Sequence, residues 1–272
     1  MSTYVQSLNA SQKANLAAII TEMKRVGITN PFTQAAILAV VSKESNFVWQ
    51  AEKGYSTTPN AHIREVFTSL AHLSDAQLNA LKANDVAFFN AIYGGKYGNA
   101  ANEGYKYRGR GPNQLTFKGN YASIGKRIGA DLVNNPDLLI TDPVVAAKAV
   151  VDYFVREFAT AAQKGYLKAY HTTGINGFTN LTDSLNAVFQ ANRGWLKTGP
   201  DKTGGLAKAQ SRITELHDVL AKVATTINEN KGAVGGGLFF LILTILAIIN
   251  KDKIKQSFSK KKNNNGNKQQ RA

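Results

Sequence analysis

The stretch PFTQAAILAVVSKES, residues 31–45, decides the fold class. Pro31 suits the first turn of a helix, and the seven residues 35–41 are all apolar. A helix that is apolar on nearly every face has to be surrounded by other packed elements. The stretch therefore predicts a buried central helix, with Glu44 in its last turn.

Helical periodicity continues on both sides of this central helix. Together with capping residues it predicts further helices over 11–25, 60–70, 74–93, 117–128, 143–162, 182 onward and roughly 206–228. No run of alternating strand residues interrupts them, so the sequence predicts an all-α fold. Residues 94–111 are the exception, because six glycines lie there among tyrosines and predict a loop or a short hairpin.

The composition excludes several kinds of site. The 272 residues contain no cysteine, which rules out disulfides, zinc–thiolate sites and cysteine nucleophiles. The four histidines match no metal-binding spacing; they are His62, His72, His171 and His217. A formal net charge of +15 favours a polyanionic partner, such as nucleic acid, anionic lipid or a phosphate-bearing wall, without choosing among them.

The C-terminal part has a different character. Residues 233–249 carry no charge over 17 positions, the short end of the membrane-spanning range, and predict a transmembrane helix over 233–250. A buried or oligomer-forming core helix is the alternative. Residues 251–272 are rich in Lys, Asn and Gln and predict a disordered basic tail, which either contacts anionic lipid or nucleic acid or only solvates the chain end. The N-terminus shows no secretion-signal pattern.

Glu44 and Glu52 form a candidate carboxylate pair. Glu44 ends the apolar helix, where partial desolvation would suit a general acid, and Glu52 precedes a Gly/Ser/Thr/Pro loop, where a carboxylate stays ionised. Two carboxyls in different environments are the minimum for glycoside hydrolysis. On spacing alone, two solvated surface charges are the simpler interpretation.

A longer motif favours the catalytic interpretation of Glu44 and Glu52 over that of two surface charges. Residues 105–116, YKYRGRGPNQLT, resemble the signature of glycoside hydrolase family 19, which holds chitinases and the related phage and bacterial endolysins. The resemblance continues in order through 131–138, 141–143 and 175–177, and covers roughly 35–193. Residues 42–45 and 52–56 resemble the family's segments around its two glutamates.

The resemblance implies roles for individual residues. Glu44 would be the general acid and Glu52 the general base of an inverting hydrolysis, with Thr116 helping to hold the attacking water. The implied substrate-binding residues are Tyr55, Ser56, Tyr107, Arg110, Gln114, Asn120 and Asn176. Two alternatives stay open at this point: Gly109 and Gly111 as turn residues only, and Arg110 as a structural ion-pair partner.

Two positions depart from the family pattern. Lys43 stands where the family often has His, and a cation beside Glu44 favours the ionised carboxylate unless Lys43 points away. Ser184 stands where many members have Arg, so electrostatic support for the second carboxylate is either missing or supplied elsewhere, with Arg193 as a candidate.

The resemblance implies an all-α, lysozyme-like fold with minimal β structure: two helical lobes around a substrate cleft. We predict a catalytic domain over 1–217, a linker over 218–232, the transmembrane helix and the tail. The predicted function is a membrane-anchored, phage-encoded glycosidase that cleaves peptidoglycan during wall penetration or host lysis. It would lie in the virion internal membrane or the host inner membrane, with no metal or cofactor. The alternatives are a chitinase or a non-catalytic wall-binding or structural virion protein.

Overall fold

A computed structural model of the chain describes residues 4–167, 174–193, 204–229, 245–247 and 250. The helices are α1 (Tyr4–Ser7), α2 (Ala10–Arg25), α3 (Pro31–Ser45), α4 (Asn60–Val66), α5 (Asp75–Lys82), α6 (Asp85–Tyr93), α7 (Lys118–Ile128), α8 (Leu138–Thr141), α9 (Pro143–Gln163), α10 (Leu181–Arg193) and α11 (Gly205–Glu229), with a 3-10 turn at Thr68–Leu70. The described residues hold no β-strand beyond two isolated bridges, Ala51 with Arg110 and Arg110 with Leu115. The predicted all-α class is confirmed.

Helix α3 is buried as its sequence predicts. Asn30 caps it by accepting a hydrogen bond from the Thr33 amide, and Pro31 occupies the first turn. Every residue from 33 to 42 is buried, so the helix is enclosed over most of its length. Because each fully buried aliphatic side chain contributes about 1.5–3 kcal/mol, α3 is a principal source of stability.

Three of the predicted helices differ from the observed ones. The helix predicted over 60–70 ends at Val66 and is followed by the 3-10 turn Thr68–Leu70. Helix α2 begins two residues earlier than Ser11 suggests, because Asn9 forms a reciprocal capping box with Gln12. The single helix predicted over 74–93 is two helices, since the Asn84 side chain accepts from the Ala87 amide and starts α6. Ser74 does cap α5 through a capping box with Gln77.

The chain divides into two compact units. The first combines 1–47 with 153–272, and in it α3 packs against α10 and α11. An aromatic and small-residue cluster in this unit includes Phe158, Phe178 and Ala187.

The second unit is residues 48–152. One core cluster joins Ile63 and Leu78 to Phe88, Phe89 and Ile92. Another is built from Tyr107, Tyr121, Ile124, Leu132, Leu139 and Ala149. These two clusters frame the glycine- and tyrosine-rich loop 94–111, where the sequence predicts a loop.

The predicted C-terminal features fall almost entirely outside the described residues. Of the predicted transmembrane helix over 233–250, only 245–247 and 250 are described, and none of the tail is. Among the described helices, none combines the length and apolar character needed to span a membrane. The anchor, the tail and the domain boundaries stay predictions.

Candidate functional site

Glu52 is fixed by backbone pairing with the loop that carries the glycine-rich motif. Its amide donates to the Gly109 carbonyl at 2.7 Å, and the Gly111 amide donates to the Gln50 carbonyl at 3.1 Å. In return, the Gly109 amide donates to Oε2 of Glu52 at 3.1 Å. Residues 50–52 and 109–111 therefore hold each other in register, and the carboxylate is part of that pairing.

Two tyrosine hydroxyls complete the surroundings of the Glu52 carboxylate. Tyr55 donates to Oε1 at 2.8 Å, and Tyr93 lies 3.0 Å from Oε1 and 3.2 Å from Oε2. With the Gly109 amide, three neutral donors point at one carboxylate. These hydrogen bonds fix the orientation of the carboxylate, and a base that takes a proton from water needs such a fixed orientation.

The same tyrosines stay protonated at neutral pH. Burial raises the pKa of Tyr55 and of Tyr93 well above the usual tyrosine value, and the neighbouring Glu52 charge raises the pKa of both further. A phenol that keeps its proton remains a hydrogen-bond donor. The neighbouring Glu52 carboxylate therefore helps to keep both hydroxyls protonated as donors.

Raised tyrosine pKa values predict that the protein loses stability in alkali. Burial raises the pKa of Tyr121 to about 12, so the folded chain keeps a proton that the unfolded chain releases from about pH 10. In this pH range the folded chain therefore binds more protons than the unfolded chain. The free energy of unfolding should fall as the pH rises from about 10 to about 12, and the contribution of Tyr121 to this fall is roughly 2 kcal/mol. Urea unfolding across this range measures the slope.

Tyr121→Phe is the control for this alkaline loss. It removes the titrating hydroxyl of a fully buried ring and should make the slope shallower. An identical slope in Tyr121→Phe and the parent chain would contradict the assignment.

Gly109 is needed because of its closeness to two site side chains. A Cβ at this position would lie 3.0 Å from Oε1 of Gln114 and 3.1 Å from Oε2 of Glu52. Gly111 serves the backbone instead, since its φ of +71° is the left-handed conformation that glycine adopts freely. Gly111 is therefore a turn residue, as the alternative had it, whereas Gly109 is also required by its closeness to Glu52 and Gln114.

A hydrogen-bonded group follows Gly111 in the chain and consists of Gln114, Thr116 and Asn120. The Thr116 hydroxyl donates to the Gln114 carbonyl at 3.0 Å, and Asn120 Nδ2 donates to the Thr116 carbonyl at 2.8 Å. Gln114 Nε2 donates to the carbonyls of Gln50 and Gly111. Because the Thr116 proton is used, its oxygen presents lone pairs and can accept a hydrogen bond from water.

Tyr107 does not line a cleft, and that prediction is wrong. Its ring is fully buried, and its hydroxyl donates to the Val133 carbonyl at 3.0 Å. It packs beside Tyr121 in the core of the second unit.

Arg110 is structural, as the alternative held. Only 4% of the residue is exposed. Its guanidinium donates to Asp137 and to the Lys106 carbonyl, both at 2.6 Å. Because these partners use the guanidinium inside the fold, Arg110 shapes the loop and has no free face for a sugar.

Asn176 also has a different role from the implied one. Its Oδ1 accepts from the amides of Thr29 and Asn30, and its Nδ2 donates to the Gly27 carbonyl. The side chain thereby clamps the turn before α3, and its polar atoms are occupied by the backbone. Ser56, by contrast, is exposed in the turn that follows Tyr55.

Glu44 lies in a more solvated setting than the apolar helix suggests. Its side chain is 41% exposed, and Oε1 accepts from Lys43 Nζ at 3.0 Å and from Asn192 Nδ2 at 3.1 Å. The buried part of α3 ends at Ser42, so the last turn emerges into solvent. Lys43 does not point away from Glu44, because the two side chains form an ion pair.

The chain direction after Glu44 is set by an unusual turn. Asn46 and Phe47 both have positive φ, 51° and 58°, which non-glycine residues seldom adopt. Two side chains from α2 hold it: Gln12 donates to the Asn46 carbonyl and Asn15 to the Phe47 carbonyl, both at 2.8 Å. The end of the helix that carries Glu44 is therefore fixed from outside.

Two site residues were missed at the sequence level, Tyr93 and Asn192. Tyr93 precedes the first glycine of the loop 94–111, and its place among alternating glycines and tyrosines was the available signal. Asn192 gave no local signal. Ser184, which stands at the position of the family's Arg, is buried and donates to the Phe32 and Leu181 carbonyls.

Part of this chain is similar in sequence to known proteins. Residues 90–194 match the sequence profile of chitinase class I. Endochitinase 1 of Theobroma cacao is 33% identical over 110 residues, 37% of this chain and 34% of that protein. Inactive chitinase-like protein 1 of Hevea brasiliensis is 33% identical over 110 residues, 37% of this chain and 35% of that protein.

A shorter and closer similarity links 45 residues, 16% of this chain, to 14% of the basic endochitinase of Vitis vinifera, at 58% identity. The chain spans about a third of the length of the first two relatives. Thr116 and Gln114 lie inside the matched segment, whereas Glu44 and Glu52 precede it. Residues 90–194 are therefore similar to the chitinase class I family, and the similarity covers less than half of the chain.

Proposed function

We propose that this protein hydrolyses β-1,4 bonds of chitin, with Glu52 as the general base. The observation that carries the proposal is the set of three neutral donors on the Glu52 carboxylate, from Tyr55, Tyr93 and Gly109. They hold the carboxylate in a fixed orientation, which is what a base that activates water needs. Glu44 takes the role of general acid from the family resemblance.

The proposed reaction is a single displacement with inversion. Water attacks the anomeric carbon and gives one proton to Glu52, while its other proton points to the Thr116 oxygen. The glycosidic C–O bond breaks, and Glu44 gives its proton to the leaving oxygen. Proton exchange with solvent then returns both carboxyls to their starting states.

Four further residues are proposed to contact the sugars. Gln114 and Asn120 flank Thr116 with amide groups, which suit N-acetyl and hydroxyl recognition. Tyr55 and Ser56 follow Glu52 along the chain and place a ring and an exposed hydroxyl beside it.

Chitin is the preferred substrate because of the relatives. The sequence alone favoured peptidoglycan and a phage setting, yet the similar proteins from Theobroma cacao and Vitis vinifera are named endochitinases. Both polymers are β-1,4-linked amino sugars, so peptidoglycan is the natural competing substrate. The finer predictions, a membrane anchor and a virion or host-membrane location, gain no support from these relatives.

The test is product release by the full chain from purified chitin and from purified peptidoglycan. The proposal expects soluble amino-sugar oligomers from chitin, with α-anomers formed first, and no such release by Glu52→Gln. Release from peptidoglycan alone would replace the substrate. Equal release by the parent chain and Glu52→Gln would show that Glu52 is not the general base of the hydrolysis.

A second candidate function is polysaccharide binding without turnover. It is favoured by the ion pair between Lys43 and Glu44, because Lys43 occupies a carboxylate oxygen of the proposed general acid. The Hevea brasiliensis relative is itself named inactive. Retention of the chain on insoluble chitin, without any released product, would establish this function in place of hydrolysis.

A further inference from the structure

Tyr97 is an exposed aromatic residue in an unfavourable backbone conformation. It is 76% exposed, the highest value among the large hydrophobic residues that the structure describes. Its φ is +45°, in the left-handed region that bulky side chains avoid. Such strain costs free energy, persists only where the surroundings impose it, and concentrates at ligand-binding positions.

The neighbouring residues with positive φ are glycines, which adopt this backbone conformation without a steric penalty. Gly95 and Gly98, on either side, also have positive φ, 68° and 91°, and pay no such penalty. The loop therefore uses glycine where only the backbone matters and keeps a tyrosine at 97. Because the ring is not buried in a core, packing within the fold does not account for it.

The Tyr97 ring packs against Phe117, and its backbone is hydrogen-bonded to the start of α7. Its centroid lies 4.7 Å from that of Phe117, with the ring planes tilted by 56°. The Tyr97 carbonyl accepts from the Gly119 amide at 3.1 Å. Asn99 joins the two segments as well, since its Oδ1 accepts from the Lys118 amide and its Nδ2 donates to the Tyr93 carbonyl.

This surface ring is connected to the Glu52 site. Phe117, whose φ of +73° is also strained, packs edge-on against Tyr93 with 5.3 Å between centroids. Tyr93 in turn donates to the Glu52 carboxylate. Two ring contacts therefore lead from the proposed base to an exposed aromatic face within the same compact unit.

We propose that Tyr97 is a stacking platform for a pyranose ring of the polysaccharide, next to the site of cleavage. The identity of the sugar as an amino sugar rests on the proposed function. The apolar C–H face of a pyranose packs on an aromatic ring, and tyrosine offers a large contact area with little conformational entropy to lose. The fixed backbone at 97 reduces the cost of ordering still further.

The experiment measures binding, separately from turnover. Full-length chain carrying Glu44→Gln is the parent, so that substrate is not consumed, and the probes are insoluble chitin and a soluble chitin hexamer. Tyr97→Asn removes the ring but suits the left-handed backbone, and should weaken binding about three- to tenfold. Tyr97→Phe keeps the ring and should bind like the parent.

Val66→Ala is the matched control, because Val66 is another exposed apolar residue of the same unit, at 52% exposure. It should leave binding unchanged. The thermal midpoint of Tyr97→Asn should stay within about 3 °C of the parent, which separates lost binding from lost folding. Three outcomes would overturn the platform. They are parent-like binding by Tyr97→Asn, equal losses in Tyr97→Phe and Tyr97→Asn, and no binding of the parent to either probe.

Failure of the platform and failure of the proposed hydrolysis are distinguishable. Product release by the wild-type chain together with parent-like binding by Tyr97→Asn would retain the enzyme and reject the platform. No product release together with weaker binding by Tyr97→Asn would retain the platform on a binding protein.

Discussion

Glu52→Gln is expected to lower kcat/KM on the polysaccharide by roughly 10²–10⁴-fold, the range found for loss of a general acid or base. The amide cannot take a proton from water, so the attacking oxygen is no longer activated. The measurement is the rate at which the full chain releases reducing ends from chitin. It is made across pH 4–9, roughly the useful range of carboxyl chemistry. The loss should persist at every pH, because it does not arise from a shifted titration.

The fold should tolerate this change. Glutamine keeps one carbonyl oxygen for the Gly109 amide, and the hydroxyls of Tyr55 and Tyr93 can rotate to accept from its NH2 group. Glu65→Gln on α4 is the matched control, since that side chain is exposed and its activity should stay within about twofold. If Glu52→Gln retained more than about a tenth of the activity, Glu52 would not be the base.

Arg110→Met is expected to lower the free energy of unfolding by about 2–4 kcal/mol. The change leaves the Lys106 carbonyl and the buried Tyr121 hydroxyl without their guanidinium donor and removes the ion pair with Asp137. Asp137 is 64% exposed, so water compensates that end and keeps the loss below the full penalty for a buried pair. Urea unfolding with an unchanged slope measures the difference.

Arg127→Met supplies the comparison within the same unit. Arg127 also pairs with an aspartate, Asp152 at 3.0 Å, but its side chain is more open to solvent. Exposed pairs contribute about 0–1 kcal/mol, so this variant should unfold nearly like the parent. Equal losses in the two variants would mean that the hydrogen bonds of Arg110 to the Lys106 carbonyl and the Tyr121 hydroxyl contribute nothing beyond the ion pair.

The helices with the strongest local patterns were predictable from sequence. The apolar run and Pro31 defined α3, whose observed bounds agree with the predicted ones. The break between α5 and α6 was not predictable from periodicity, because both helices keep apolar residues in phase. Only the hydrogen bond from the Ala87 amide to Asn84 separates them, and an asparagine can cap a helix or lie inside it.

The candidate site was predictable in residue type and less so in side-chain direction. A family resemblance identifies Tyr107 and Asn176 but cannot show that one is buried and the other clamps the turn at 27–30. The roles of these residues depend on contacts far apart in sequence. Tyr93 illustrates the converse, because its hydroxyl reaches Glu52 across 41 positions.

The neutral character of the donors around Glu52 gives the two carboxylates different responses to salt. Mobile ions screen an exposed pair such as Lys43 with Glu44, and the Debye length is about 10 Å at 0.1 M salt. Short hydrogen bonds from two phenols and one backbone amide carry no net charge for ions to screen. Rising ionic strength therefore weakens the ion pair of Glu44 with Lys43 more than it weakens the hydrogen bonds on Glu52, so the two carboxylates are held by forces that differ in their dependence on salt.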